Sequence, residues 1–152
     1  MKNVKITPMD AEGLNQECIA DKMRLLNRVI TSLYDDALRP VGITTSQMNI
    51  LVVVAKYGQP SPTQVGDWLQ MEKSTLSRNV DRLRKQGWLE TIHGDHGRSI
   101  QLELTAKGQT VLAKGLPFWR QAQQKAQSLL GARGVKEVMR MGNTVRSQQI
   151  EK

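Results

Sequence analysis

Apolar residues recur at helical spacing along most of this chain and switch to strict alternation only once, at residues 99–104. Ile19, Met23, Leu26, Ile30, Leu33 and Leu38 fall near one helix face. They predict a first long helix over residues 14–38, limited by Pro40, with residues 1–12 flexible before it. The run Ile50-Leu51-Val52-Val53-Val54 is apolar nearly all round and could be a strand by itself. Gln47 and Met48 ahead of it favour a buried helix over 46–56, capped by Thr44 or Thr45. Gly58-Gln59-Pro60 then breaks the chain. Ser61 followed by Pro62 is a helix start signal and predicts a short helix over 62–69. A further helix is expected over 73–86, stopped by Gly87. Residues 88–92 and 99–104 read as two strands around a polar, glycine-bearing tip at 93–98. Thr105 caps a long helix to about residue 130, kinked by Pro117. A loop at 131–134 and a last helix over 135–149 complete the chain, with Val135, Val138, Met139, Gly142 and Val145 on one side.

Two short helices, a tight turn and a hairpin make a helix-turn-helix with a wing. The fold class expected is therefore mainly α with a small β-hairpin. Residues 41–105 form the winged part, and 1–40 and 106–152 form a helical region around it. A helix as long as the first one cannot pack only on so small a domain and needs another surface, such as a second subunit.

The helix over 73–86 carries the candidate chemistry. At about 100° per residue, Val80 lies about 40° and Leu83 about 20° from Leu76, so these three make a buried stripe. Ser74, Arg78, Asp81, Arg82 and Lys85 face the other way, with Thr75 and Ser77 at the flanks and Lys73 at the start. Between Lys73 and Lys85 stand five basic residues and one acid. A lone basic helix is more often a solvated surface. Here the preceding helix and following hairpin favour a helix laid in a major groove. Arginine pairs there bidentately with guanine, and short hydroxyls reach base edges or phosphates. Ser61 and Thr63 at the start of the preceding helix, and His96 and Arg98 on the wing, complete the expected contact set for double-stranded DNA.

Net charge changes this picture only in part. The chain carries +8, but residues 105–152 hold nine bases against two acids, so most of the excess lies outside the presumed reading unit. Pattern on one helix is thus a better argument for DNA than total charge. At 152 residues one domain of ordinary size is expected. No apolar run reaches the length of a membrane span, and the N-terminus lacks the apolar segment of a signal peptide. A single cysteine, Cys18, excludes an internal disulfide and fits a reducing cytoplasm. No nucleophile motif or phosphate-binding loop is present, so neither an enzyme nor a cofactor is expected. His93 and His96 beside Asp95 read as wing contacts rather than metal ligands. Trp68 and Trp88 fit the winged core.

The stretch from 43 to 105 resembles the MarR family of bacterial transcriptional regulators. Thr44-Thr45-Ser46-Gln47 matches its T-x-x-Q opening. Ser74-Thr75-Leu76-Ser77-Arg78 and Asp81-Arg82-Leu83 match its recognition helix. Gly87-Trp88-Leu89 and Leu104-Thr105-Ala106-Lys107-Gly108 match the motifs on either side of the hairpin. The wing departs from the usual D-x-R, with His96 two residues before Arg98 and Asp95 three before. The resemblance implies an intertwined homodimer whose terminal helices pair and whose recognition helices meet a pseudo-palindromic operator. It implies a regulator, expected to be a repressor, released by a small-molecule effector of unread identity. Trp119 reads first as a core residue, and Met23 and Met48 as core filler; as the alternative, the effector pocket the resemblance implies would draw on Met23, Asn27, Met48 and Trp119. Two other readings stay open: a winged-helix module for protein or RNA contact, and a regulator that senses oxidants through Cys18.

Overall fold

The computed structural model of the chain describes residues 5–93 and 99–150, with 149 and 150 as backbone only. Residues 1–32 and 33–152 form two compact units. In the first, Thr7 opens α1, Pro8–Glu17, with a reciprocal cap. Its hydroxyl accepts from Asp10 N–H at 3.2 Å, and the Asp10 carboxylate accepts from Thr7 N–H at 3.0 Å. Residues 7–12 are therefore not the flexible lead expected: Thr-Pro-x-Asp is itself a helix start. The single long helix expected from residue 14 is likewise two. Cys18, at φ −69° and ψ 103°, separates α1 from α2, Ile19–Leu38. No residue of α1 is buried.

In the second unit, α2 gives way to a short 3-10 turn, Arg39–Val41, that contains Pro40. Helix α3, Thr45–Tyr57, starts from a Thr44–Gln47 capping box. Gln47 can be buried because its side-chain oxygen accepts from Thr44 N–H at 3.0 Å. The Asp35 carboxylate accepts from both N–H and Oγ1 of Thr45 at 2.6 Å, adding negative charge at the helix start. The ambiguous apolar run is thus helix, and Ile50, Leu51 and Val54 are wholly buried. Helix α4, Pro62–Leu69, begins at a Ser61–Gln64 box. Helix α5 spans Lys73–Lys85.

Strands β1, Leu89–His93, and β2, Ile100–Leu104, pair antiparallel, with Leu89 opposite Leu104 and His93 opposite Ile100. Leu102 N–H donates to Pro60 O at 2.9 Å, tying the hairpin to the segment before α4. One core joins these elements: Leu38, Ile43 and Met48 from the entry, Val65 from α4, Leu76, Val80 and Leu83 from α5, Leu89 and Leu102 from the hairpin, and Val111 beyond it.

Helix α6 runs from Ala106 to Ile150. Pro117 lies inside it at helical φ/ψ. The helix breaks at one residue, Gly131, whose φ of 66° and ψ of 166° favour glycine. The expected four-residue loop at 131–134 is therefore this single reversal. Among the described residues no helix is long and apolar enough to cross a membrane.

Candidate nucleic-acid interface

The turn between α4 and α5 sets the two helices against each other. Met71 N–H donates to Gly66 O at 3.0 Å and Gln70 N–H to Asp67 O at 3.3 Å, a Schellman closure. Its left-handed position is taken by Gln70, φ 50°, rather than glycine, and the Gln70 amide also donates to Asp67 O. At the far end α5 closes in the same way. Trp88 N–H donates to Leu83 O and Gly87 N–H to Arg84 O, both at 2.9 Å, with Gly87 at φ 70°.

Between these closures α5 divides as its periodicity predicts. Leu76, Val80 and Leu83 are buried, at 5%, 9% and 0% exposure. Lys73, Ser74, Ser77, Arg78, Arg82 and Lys85 are exposed, and Thr75 is half-buried. Arg78 lies back along its own helix, donating from Nε to Ser74 O at 3.3 Å and from Nη2 to Thr75 Oγ1 at 3.5 Å. Asp81 meets Arg84 at 3.9 Å, an exposed and weak pair. Among the described residues Lys73, Arg78, Arg82 and Lys85 form no ion pair, so the outward face is cationic and uncompensated. Arg84, not among the residues picked out from the sequence, adds to that charge. Thr63 is exposed in the first turn of α4, while Ser61 has its hydroxyl engaged as the cap, accepting from Gln64 N–H at 3.2 Å. His96 and Arg98 lie outside the described residues.

Behind this face the hairpin is locked to α6. Thr105 Oγ1 donates to Gly87 O at 2.6 Å and accepts from Gly108 N–H at 3.0 Å. Gly108 sits so close to the Trp88 carbonyl that an added Cβ would press on that oxygen and lie 2.6 Å from Leu104 Cδ1. The glycine of Leu-Thr-x-x-Gly is there for space, a requirement the spacing of the motif does not reveal.

A cavity of about 680 Å³ opens between the 3-10 turn and the start of α6. Trp88, Val41 and Phe118 give it apolar walls, and Lys107 and Lys114 stand on its rim. None of the four residues expected to take an effector lines it. Met48 is in the core, and Trp119 packs partly buried against that core with its ring 6.3 Å from that of Tyr34. Tyr34 in turn donates to Gln123, and burial holds its phenol above the usual range. In the first unit Met23 and Asn27 are exposed, and Asn27 accepts from Thr31.

The profile of the MarR family matches residues 41–99, the span from the 3-10 turn to the second strand. The M. tuberculosis transcriptional regulator MosR, solved in complex with DNA, superposes with a TM-score of 0.73 at 29% identity, over 86% of this chain and 98% of its own. Over residues 41–99 the chain matches the MarR family. The HTH-type transcriptional regulator PecS of Dickeya dadantii is 34% identical over 88 residues, 52% of each chain. The Bacillus subtilis regulator YwoH is 26% identical over 82 residues, 54% of this chain. Aligned this way, the chain spans 60% of YwoH and 52% of PecS, little more than half of the curated relatives it matches.

Proposed function

We propose that this chain is a MarR-family DNA-binding transcriptional regulator. It acts as a repressor that grips a pseudo-palindromic operator as a homodimer and leaves it when a small molecule binds. The observation that carries this reading is the outward face of α5, where Ser74, Ser77, Arg78, Arg82 and Lys85 are exposed over a buried aliphatic stripe. A module built for protein contact would present an apolar patch at that place. In this reading α5 enters the major groove. Arg78 and Arg82 read bases or phosphates, Lys73, Ser74, Thr75, Ser77 and Lys85 position the helix, and Ser61 and Thr63 meet the backbone at the start of α4. His96 and Arg98 reach the flanking groove from the wing. The relatives named as transcriptional regulators, and the neighbour solved on DNA, support it.

Two uncovered apolar surfaces support the dimer. Met9, Leu14 and Ile19 are exposed in the first unit, and Leu129, Val138, Met139 and Val145 on the far part of α6. Hydrophobic side chains so placed on helices call for a partner. For the effector, the cavity beside Trp88 joins Met23, Asn27, Met48 and Trp119 as a candidate, because Trp88 is also the residue that closes α5. A ligand favouring one setting of that closure would shift the spacing of two recognition helices and so the affinity for operator. Cys18 is exposed at the α1–α2 junction, and oxidant sensing there is the second reading.

Selection of genomic fragments by the purified protein tests the whole. Fragments carrying inverted half-sites about 10 bp apart should be enriched and bound with a Kd of about 10⁻⁸ M or tighter at physiological salt. Enrichment of no sequence above bulk DNA would overturn it.

A further inference from the structure

The last turns of α2 hold two other elements at once. Toward α6, Tyr34 donates to Gln123 and its ring lies 6.3 Å from that of Trp119. Toward α3, the Asp35 carboxylate accepts from Thr45 N–H and Thr45 Oγ1, both at 2.6 Å. The first amides of a helix have no partner inside it. The Thr44–Gln47 box satisfies the amides of those two residues and leaves that of Thr45 to Asp35. Asp35 is half-buried and forms no ion pair among the described residues. Its charge is met by the positive end of α3 and the Thr45 hydroxyl.

Leu38, wholly buried, and Met48 of α3 meet α6 at Gly115. Apolar contacts of this kind are non-directional and act as a pivot. Asp35 lies about one turn before Leu38, and its two directed hydrogen bonds remove the freedom to turn about that pivot. Helix α3 in turn packs against α4, α5 and β2. Its Ile50, Leu51 and Val54 are wholly buried, so a tilt of α3 is carried to α5. From this we infer that Asp35 is a positioning residue for operator recognition. Through Thr45 it fixes the direction of α3 and α5 against α6, and with it the half-site spacing that two copies can meet. The spacing rests on the homodimeric DNA-binding reading; the fixed direction does not.

Spacing is the deciding readout, because a residue that served stability alone would weaken every operator alike. An enriched operator is compared with versions whose half-sites stand closer or further apart by single base pairs, each step turning a half-site by about a tenth of a helical turn. Wild type should prefer its own spacing by about tenfold or more, the loss expected when base contacts in one half-site are misaligned. Asp35→Ala, which removes both acceptors, should reduce that preference about tenfold, to nearly none. A single half-site should be bound as by wild type. Asp35→Asn keeps an oxygen for Thr45 and should retain the preference. Thr45→Val keeps the N–H, loses the hydroxyl and should fall between; it carries the test if Asp35→Ala does not fold. Variants that lower affinity for all spacings alike, with the preference intact, overturn the proposal. The direction itself is measured without DNA. Spin labels at Asp67→Cys and Gln121→Cys, exposed positions of α4 and α6, are placed in a Cys18→Ser background and diluted with unlabelled protein. Asp35→Ala should broaden the distance distribution between them and Asp35→Asn should not, whereas equal widths overturn the role of Asp35. Should no fragment be bound at all, the DNA reading fails while these distances still decide whether Asp35 fixes the direction.

Discussion

Arg78 stands near the centre of the outward face of α5, about 200° around the helix from Leu76. Its guanidinium is spent on Ser74 and Thr75 of its own helix at 3.3 and 3.5 Å, bonds long enough to be exchanged for a guanine edge. Arg78→Ala should cost about 1–3 kcal/mol on the fragment it reads and relax preference at one base position. Titrating a panel of single-base variants by fluorescence anisotropy checks this. Equal loss on every sequence would make Arg78 a phosphate contact. Its exposure was legible from the 100° periodicity. Its local hydrogen bonds, and the weak Asp81–Arg84 pair beside it, depend on rotamers that no spacing encodes.

At the scale of elements, glycines at two positions of α6 respond oppositely to the same change. At Gly108 an added Cβ would strike the Trp88 carbonyl and lie 2.6 Å from Leu104 Cδ1. Gly108→Ala should therefore force the hairpin off the helix and cost about 3 kcal/mol or more. Seven residues on, a Cβ at Gly115 would lie 3.6 Å from Leu38 Cδ2 and 3.8 Å from Met48 Cε, ordinary contacts. Gly115→Ala should stabilise by about 0.5–1 kcal/mol through helix propensity. Urea midpoints for the pair decide it, and a shift of the same sign in both would contradict the packing described. Helix α1 offers a pH test. Hydrogen bonds from the Thr7 side chain and then its backbone N–H hold the Asp10 carboxyl below its usual 3.8. A depressed carboxylate stabilises above its unfolded value and loses that contribution as pH falls through the depressed one. The amides of the first turn of α1 should thus lose hydrogen-exchange protection below about pH 4, and Thr7→Ala, which keeps only the backbone bond, should weaken that dependence. Helix starts such as Ser61-Pro62 and Thr44 were legible because a cap is a local hydrogen bond between residues three apart. The cap at Thr7 is local too, and could have been found by the same rule. The break at Cys18 carries no glycine or proline to mark it.

At the scale of the whole molecule, the exposed apolar positions of the first unit and of α6 beyond Gly131 call for a dimer. Equilibrium sedimentation should show a homodimer at micromolar concentration, and Val138→Glu with Val145→Glu should dissociate it and weaken operator binding together. A stable monomer with full operator affinity would end the two-half-site reading. The helices from α3 to α5, the hairpin and the cationic outer face of α5 were determined by the sequence alone. Each follows from interactions within a few residues or from one periodicity: the stripe Leu76–Val80–Leu83, the alternation at 99–104, the caps. What only the tertiary structure decided lies between elements distant in the chain. Leu102 bonds to Pro60, Thr105 closes on Gly87, and Gly108 makes room for a carbonyl twenty residues earlier. Residues from α4 and α5 line one cleft together, Asp67 and Asp81 among them, and Trp88 walls another cavity with lysines of α6. Such placements arise because many weak contacts must be satisfied at once in a close-packed core, and periodicity along one helix says which face is buried but not what will lie against it.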